Sequence, residues 1–496
     1  MAGKYILGID QSTQGTKALL FDANGKIIGR SDLPHDQIVN ELGWVEHNPT
    51  QIYDNTLAVV KALVEKTAIE KSDIAAIGLT NQRETAVVWN KKSGSPIYNA
   101  IVWQCARGAS ICKRLESHAQ LIQSHTGLSL SPYFTAAKIA WVLENVEGAK
   151  EESEQGRLAY GTMDSWLIYK LTGKKSFKTD YSNASRTQLF DIRELRWDTE
   201  ICTLFGLNPS CLATVCDSNS MFGDTDLEGY LEQPIPIYGV LGDSHAALFG
   251  QHCIQKGMVK ATYGTGSSIM MNIGEEPIYS QKGIVTSLAW GMNGKVEYVL
   301  EGNINYTGAV ISWIKNDLNL IQNASEAETL AYAANPSDTT YLVPAFSGLG
   351  APYWNSEATA MICGMTRTTG KAELVKAALE SIAYQIADVI NVMAEESGLG
   401  IKKLKVDGGP IRNNYLMQFQ SDIINCSVQV PEMEELSVIG TAYMAGIRFG
   451  LYDPDMIFSD IKAKEFQPLM EDEIRMERYR NWKDSVALVM NRNTNK

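Results

Sequence analysis

Positive charge is in short supply in this sequence. Against 57 Asp and Glu stand 44 Lys and Arg, which leaves a formal net charge of −13. No net positive field would draw in a phosphate backbone, so nucleic acid is not expected as a partner. Any phosphate site must be assembled locally, from backbone N–H groups, a few cations and a metal. Long apolar runs are also missing. None approaches the roughly 20 residues of a membrane span, so no membrane partner is expected. The opening stretch Met1–Asp10 has no basic segment followed by an apolar core, and no secretory leader is expected from it. The eight cysteines, Cys105, Cys112, Cys202, Cys211 and Cys216 among them, form no C-x-x-C pair. That argues against zinc and for scattered reduced thiols in a cytoplasmic protein. Low-complexity segments and disordered linkers are absent too.

What is present is enough chain for two large domains, 496 residues. An apolar run Tyr5–Ile9 leads into Asp10-Gln11-Ser12-Thr13-Gln14-Gly15-Thr16-Lys17, and a second run, Ala18–Phe21, follows. Asp22-Ala23-Asn24-Gly25 is a turn signal, and Lys26–Arg30 reads as a third strand. A related pattern recurs later: strand Gly257–Ala261, a Gly/hydroxyl turn Thr262–Ser268, and an outgoing strand Ile269–Asn272. Two copies of strand, polar turn and strand suggest an internal duplication. Helical periodicity marks Asn48–Glu70 and Lys371–Glu396. Strands alternating with helices give an α/β fold. The division is placed at 1–246 and 247–496.

Three turns carry candidate chemistry. Asp10 ends a strand among Ser12, Thr13, Gly15 and Thr16. Hydroxyls and exposed amides suit a phosphate, and a carboxylate there suits the accompanying metal. Gly264-Thr265-Gly266 is a second such turn, and Val406-Asp407-Gly408-Gly409 ends a strand where backbone can lie close to a flat ligand. Each motif alone is weak. Together, at this spacing, they give two phosphate clamps and a nucleotide wall.

The order D-Q-x-T, Y-G-T-G, V-D-G-G resembles that of the FGGY carbohydrate kinases. Those are actin-like ATPases with two ribonuclease H-like domains and an active-site cleft between them. Within the family the chain is most similar to the glycerol kinases: Thr80-Asn81-Gln82-Arg83-Glu84-Thr85, Asn99–Cys105, Ser131-Pro132-Tyr133-Phe134 and the Val343–Trp354 loop all match or nearly match their segments. The resemblance implies ATP and Mg²⁺, a small polyol or sugar acceptor, and a homodimer or homotetramer. It implies that Arg83 and Glu84 clasp acceptor hydroxyls, as donor and acceptor. Trp103 and Tyr133 would line the pocket, with Ser244 and Ser268 beside them. Asp243 would be the general base, with helix N-cap as its structural alternative. Asp10 would hold the metal. Gln11, Ser12, Thr13, Gly264, Thr265 and Gly266 would contact phosphates, and Gly308, Gly409 and Asn413 would border the nucleotide.

Two departures bear on the acceptor. Gly242-Asp243-Ser244-His245 stands where glycerol kinases have G-D-Q-Q, and Ser267-Ser268 stands where they have C-F after Y-G-T-G. A small hydroxyl thus replaces an aromatic wall, which implies a wider and more polar pocket. That leaves glycerol, a longer polyol, or a pentulose as in xylulokinases. An actin-like ATPase machine and an inactive regulatory relative are the alternatives of another class. Arg83, Glu84 and Asp243 count against the first, and retention of Asp10, Thr265 and Asp243 counts against the second. Leu227–Pro236 does not match the loop where some bacterial glycerol kinases bind fructose bisphosphate, and the phosphorylatable histidine of certain relatives is missing. Neither regulation is expected.

Overall fold

The computed structural model describes residues 4–459 and 461–492. Its two main sheets have six and seven strands. The first contains β1 Tyr5–Gln11, β2 Gly15–Phe21, β3 Ile27–Pro34, β4 Ile74–Asn81, β5 Gly223–Thr225 and β6 Ile235–Gly242, in the order β5-β6-β4-β1-β2-β3. The second contains β7 Val259–Tyr263, β8 Ser267–Gly274, β9 Val285–Met292, β10 Lys295–Ile304, β11 Lys403–Gly408, β12 Ser427–Pro431 and β13 Ala463–Phe466, in the order β9-β10-β8-β7-β11-β12-β13.

The duplication is visible in the pairing. β1 and β2 are antiparallel, as are β2 and β3, while β4 joins β1 in parallel and β6 joins β4 in parallel. β7, β8, β10, β11 and β12 repeat that arrangement in the same order. The three opening strands are thus antiparallel, as expected. The second hairpin differs in extent from its sequence reading. Thr262, Tyr263, Ser267 and Ser268 are paired strand residues, and only Gly264–Gly266 turn.

Local chemistry sets the elements. Asp22 Oδ1 accepts from the backbone N–H of Asn24 and Lys26, and Gly25 supplies φ +75 to close the β2–β3 turn. α1, Pro49–Thr67, starts at Asn48, whose side chain accepts from Thr50 N at 2.9 Å, and it has Pro at its first position. Between β4 and β6 lies a long insertion that includes α2, Thr135–Asn145. The helix Lys371–Ser397 opens on Glu373, which accepts from Gly370 N, and stops at Gly398 in the left-handed region.

Two helices join the halves. α3, Asp243–Gly250, leaves β6 and leads to β7, so the division placed at 246/247 falls inside a continuous helix. The helix that follows β12, Leu436–Phe449, comes from the second half yet packs on α3 and on β4, β6 and β1 of the first sheet. The two cross so closely that a Cβ on Gly440 would lie 1.9 Å from Ala246 O, and one on Gly250 would lie 2.3 Å from Leu436 O. Apolar residues of both sheets meet around this crossing, including Ile6, Leu241, Met270 and Val299. Among the described residues no helix is long and apolar enough to cross a membrane.

Candidate active site

The β1–β2 hairpin forms one wall. Asp10 is the last but one residue of β1 and is 5% exposed. Burial raises its carboxyl to about 7, an effect that nearby Asp243 adds to and Lys17 opposes. Lys17 Nζ stands 4.0 Å from Asp10 Oδ2 but is bonded at 2.8 Å to Glu435, which also binds Arg30 at 2.8 Å. Glu435 immediately precedes the Leu436–Phe449 helix, so this hairpin is tied to the second half. Asp10 Oδ1 is buried without a hydrogen-bond partner among the described residues. Gln11 is buried, with Nε2 donating to Ser12 O, and Ser12 Oγ donates to Gly15 O. Thr13 Oγ1 accepts from Trp103 Nε1 at 3.0 Å. The hairpin tip and the aromatic wall therefore touch.

Trp103 meets Tyr133 edge-to-face at 5.7 Å, and Tyr133 meets Phe134 likewise at 5.3 Å. Tyr133 and Phe134 lead into α2, where Lys138 Nζ holds the preceding turn by donating to the carbonyls of Pro132, Tyr133 and Phe134. Burial pulls that ammonium down to about 7.

Arg83 and Glu84 follow β4 after Gln82, and both are buried. Arg83 Nε donates to Asp243 Oδ1 at 3.1 Å, while Nη1 and Nη2 donate to Glu301 at 2.8 and 2.9 Å. Glu84 has φ +60 and accepts from Arg186 Nε at 2.5 Å. Asp243 does not take the N-cap position offered as its structural alternative. Gly242 does, and Asp243 is the first helical residue, its Oδ1 accepting from Ser244 N at 2.6 Å. Its side chain is 38% exposed beside a 5% exposed Arg83, so the pair opens to solvent on the carboxylate side.

The second half supplies the other wall. Ser268 on β8 lies directly opposite Asn303 on β10 and Thr262 on β7, and Thr262 lies opposite Asp407 on β11. Ser268 Oγ is buried with no partner among the described residues. Gly264 O accepts from Gly308 N at 2.9 Å, Thr265 O accepts from Thr307 N at 2.9 Å, and Gly266 closes the turn. A Cβ on Gly308 would lie 2.7 Å from Gly264 O and 3.8 Å from Pro410 Cγ. The second turn is thereby brought to the Gly408–Gly409 bend, where Gly408 has φ +100. Asn413 caps the helix Asn414–Ile424 through Oδ1, while its Nδ2 is buried and unpartnered.

Sequence reasoning missed four charged groups here. Glu301, Arg186 and Lys260 are fully buried, and Lys17 stands beside Asp10. Three of them carried a signal: Glu301 directly follows the apolar run Tyr298–Leu300 of β10, Lys260 lies between Val259 and Ala261, and Arg186 stands beside a hydroxyl cluster. A charge inside a buried strand has to be paired or functional. One cluster elsewhere is accounted for by turns. His125 Nδ1 meets Asp198 Oδ2 at 2.7 Å, but Asp198 caps a helix and Asp191 holds the N–H groups of Arg193 and Glu194.

The N-terminal domain of the FGGY family of carbohydrate kinases matches residues 5–250, and the C-terminal domain of that family matches residues 259–449. The chain belongs to the FGGY family of carbohydrate kinases. It is 46% identical over 494 residues to the glycerol kinase of Brevibacillus brevis, covering 99% of each chain. To glycerol kinase 1 of Thermotoga maritima it is 48% identical over 490 residues, covering 98% of this chain and 99% of that one. Among solved structures, the glycerol kinase of Plasmodium falciparum with ADP superposes with a TM-score of 0.92 at 34% identity, covering 99% of both. The FGGY chain described here is therefore an ATP-dependent kinase of the actin-like fold, glycerol-kinase-like in sequence from end to end.

Proposed function

We propose that this kinase transfers the γ-phosphate of ATP to a primary hydroxyl of glycerol or a somewhat larger polyol. The observation that carries the reading is the contact between Arg83 and Asp243 at 3.1 Å, with Glu84 alongside. A donor and two carboxylates at the mouth of an aromatic pocket suit a vicinal diol. Arg83 donates to one hydroxyl oxygen, Glu84 accepts from a neighbouring hydroxyl, and Trp103 and Tyr133 pack on the carbon chain. Asp243 takes the proton of the attacking oxygen. Gln11, Ser12, Thr13 and the Gly264–Gly266 turn hold phosphates, while Gly308, Gly409 and Asn413 border the base and sugar of the nucleotide. Ser244 and Ser268 complete the acceptor wall. Positioning and charge neutralisation then supply most of the rate.

The residues fit a divalent cation. Asp10 offers a buried oxygen without a donor, on a carboxyl that burial holds near 7, so a cation beside it relieves a desolvated charge. We assign Mg²⁺ there. When bound it neutralises charge on the phosphates.

The two units meet at the α3 crossing, near the 246/247 division, and close over the acceptor and ATP to exclude water. The free thiols support a reducing, cytoplasmic setting. For assembly we propose a homodimer or homotetramer. Edge strand β3 exposes the apolar side chains Ile27, Ile28 and Leu33, which a second copy would cover. Light scattering after gel filtration reads the mass.

A second reading, a pentulose kinase, is favoured by one observation: Ser268 leaves an unpartnered hydroxyl where an aromatic wall would stand. A coupled ADP-release screen over glycerol, dihydroxyacetone, tetritols, pentitols and pentuloses separates the two. Turnover highest with glycerol or a tetritol supports the first reading. Turnover confined to pentuloses replaces it with the second.

A further inference from the structure

Five charges alternate in sign through the acceptor pocket: Asp243, Arg83, Glu301, Arg186 and Glu84. Arg83 joins Asp243 at 3.1 Å and Glu301 at 2.8 and 2.9 Å. Glu301 Oε2 also lies 3.0 Å from Arg186 Nη1, and Arg186 Nε donates to Glu84 at 2.5 Å. Glu301 and Arg186 have no exposed surface at all. The chain is assembled from distant parts of the sequence. Arg83 and Glu84 follow β4, Arg186 comes from the insertion, Asp243 opens α3, and Glu301 stands on β10 of the other sheet.

Counting donors shows what the chain does. A guanidinium has five N–H groups in a fixed fork. Arg83 spends its Nε–H on Asp243 and one N–H from each terminal nitrogen on Glu301, which leaves one N–H on each terminal nitrogen for a ligand. The bidentate grip of Glu301 fixes the plane of the fork, and with it the direction of those two remaining donors. Glu84 is held by a single bond, from Arg186 Nε. Arg186 occupies Oε1, so Oε2 is the oxygen left for a hydroxyl. Arg186 itself is poorly satisfied for a structural ion pair: neither Nη1 nor Nη2 makes a hydrogen bond of good geometry, although both are buried. It sits over the Phe134 ring at 5.1 Å, next to the Tyr133 wall. Glu301 stays ionised here. Burial pushes its carboxyl up, but Arg186 and Arg83 more than offset this and hold it well below the ordinary range.

We propose that Glu301 and Arg186 are positioning residues for the acceptor. Glu301 aims Arg83, Arg186 aims Glu84, and because Glu301 belongs to the second sheet the clasp is complete only when the two halves stand as they do here. This rests on the acceptor pocket assigned above. It adds a coupling: the halves that must close over the substrates also assemble the group that recognises one of them.

The test uses the full chain and the best acceptor found in the wild-type screen, so failure of glycerol as an acceptor counts against the proposed acceptor and not against this role. Cooperative melting of each variant is measured first. In Glu301→Gln the amide places an NH₂ against one Arg83 donor, and the fork turns. The expected result is a loss on the order of 10- to 100-fold in kcat/KM for the acceptor, carried mainly by KM. KM for ATP and the slow hydrolysis of ATP without acceptor stay within about twofold of wild type. Arg186→Lys, which keeps the charge count but replaces the fork with a point charge, moves the same constants in the same direction. It carries the test if Glu301→Gln does not melt cooperatively. In Arg186→Ala, added guanidinium ion at sub-denaturing concentration restores part of the lost acceptor kcat/KM. Acceptor constants unchanged in folded Glu301→Gln and Arg186→Lys overturn the role. So does a parallel rise of KM for ATP and acceptor, which marks a general scaffold.

Discussion

Asp243 Oδ1 is bonded both to Arg83 Nε, at 3.1 Å, and to the backbone N–H of Ser244, at 2.6 Å. One carboxylate oxygen is thereby anchored, and in the proposed mechanism Oδ2 is the oxygen that meets the acceptor. Replacing Asp243 by Asn preserves the shape and removes the proposed base. Because the side chain is 38% exposed, the melting temperature should change little. Turnover should fall on the order of 10²–10⁴-fold. Steady-state kinetics on the purified variant decide it: a kcat close to wild type means that Asp243 is not the base.

The buried Asp10 oxygen leads to a second expectation. Activity should require Mg²⁺ or Mn²⁺, and Asp10→Ala should lose rate and metal response together. A metal titration of both proteins, after EDTA treatment, measures this. Full wild-type activity in excess EDTA contradicts the assignment.

The helix crossing allows no side chain at Gly440. A Cβ there would lie 1.9 Å from Ala246 O and 3.0 Å from Gly250 N, both backbone atoms that cannot rotate away. Gly440→Ala should therefore push the two helices apart and destabilise the fold by about 1–3 kcal/mol or more. Gly400→Ala, where a Cβ meets nothing within 4 Å, is the control and should be neutral. Urea unfolding of the pair tests it. Equal midpoints for the two variants would show that the crossing is looser than described.

Much of this architecture was legible in the sequence, and the reasons differ by element. The β1–β2 hairpin was readable because apolar runs flank a polar turn, and the Asp22–Gly25 turn has local chemistry. The Gly264–Gly266 turn was readable in position but not in length. Hydroxyl residues on a strand facing a polar cleft look like loop, so Thr262 and Ser268 were assigned to it. Asp243 was readable as a carboxylate opening a helix, but not its cap position, because Gly242 and Asp243 both suit a helix start. The return of the Leu436–Phe449 helix to the first sheet had no local signal, since packing between distant segments is not written in periodicity. Glu301 and Arg186 were missed because a motif names the residues of a clasp, not the distant charges that aim it.

A buried acid outside the clasp gives a pH prediction. Asp164 is fully buried and accepts from Thr162 Oγ1 at 2.5 Å and Thr179 Oγ1 at 2.6 Å. Burial, with Asp180 adding to it, raises its carboxyl to about 7 from 3.8. A raised carboxyl holds its proton in the fold after the unfolded chain has lost it. Its contribution to stability therefore declines as pH rises from about 4 to about 7, and is level above that. Asp164→Asn removes the titration. Relative to wild type, the variant should gain about 2–3 kcal/mol between pH 5 and pH 8. Urea unfolding at both pH values measures the difference, and a difference that does not change with pH means that Asp164 is ionised throughout.

The last prediction concerns the size of the acceptor. Ser268 stands opposite Asn303, and Asn303 Nδ2 donates at 3.1 Å to Glu301, the residue that grips Arg83. Ser268 is thus one cross-strand pair from the clasp, and its buried hydroxyl has no partner among the described residues. A longer acceptor could offer that hydroxyl a hydrogen bond, which glycerol, with one carbon fewer to reach it, could not. Ser268→Phe fills the space with a ring. The ring adds apolar contact to a three-carbon chain and removes room from a four- or five-carbon one. A contact of this size discriminates by roughly 1–3 kcal/mol, or about 10–200-fold. The quantity to compare is kcat/KM for glycerol divided by kcat/KM for the best longer substrate, in wild type and variant, and the ratio should rise by that factor. Ser244 and His245 also depart from the glycerol kinase pattern, so a second change at Ser244 is a natural companion if the ring alone gives a small rise. A ratio that stays fixed, or shifts toward the longer substrate, would show that Ser268 does not set acceptor size, and the kinase assignment would stand without it.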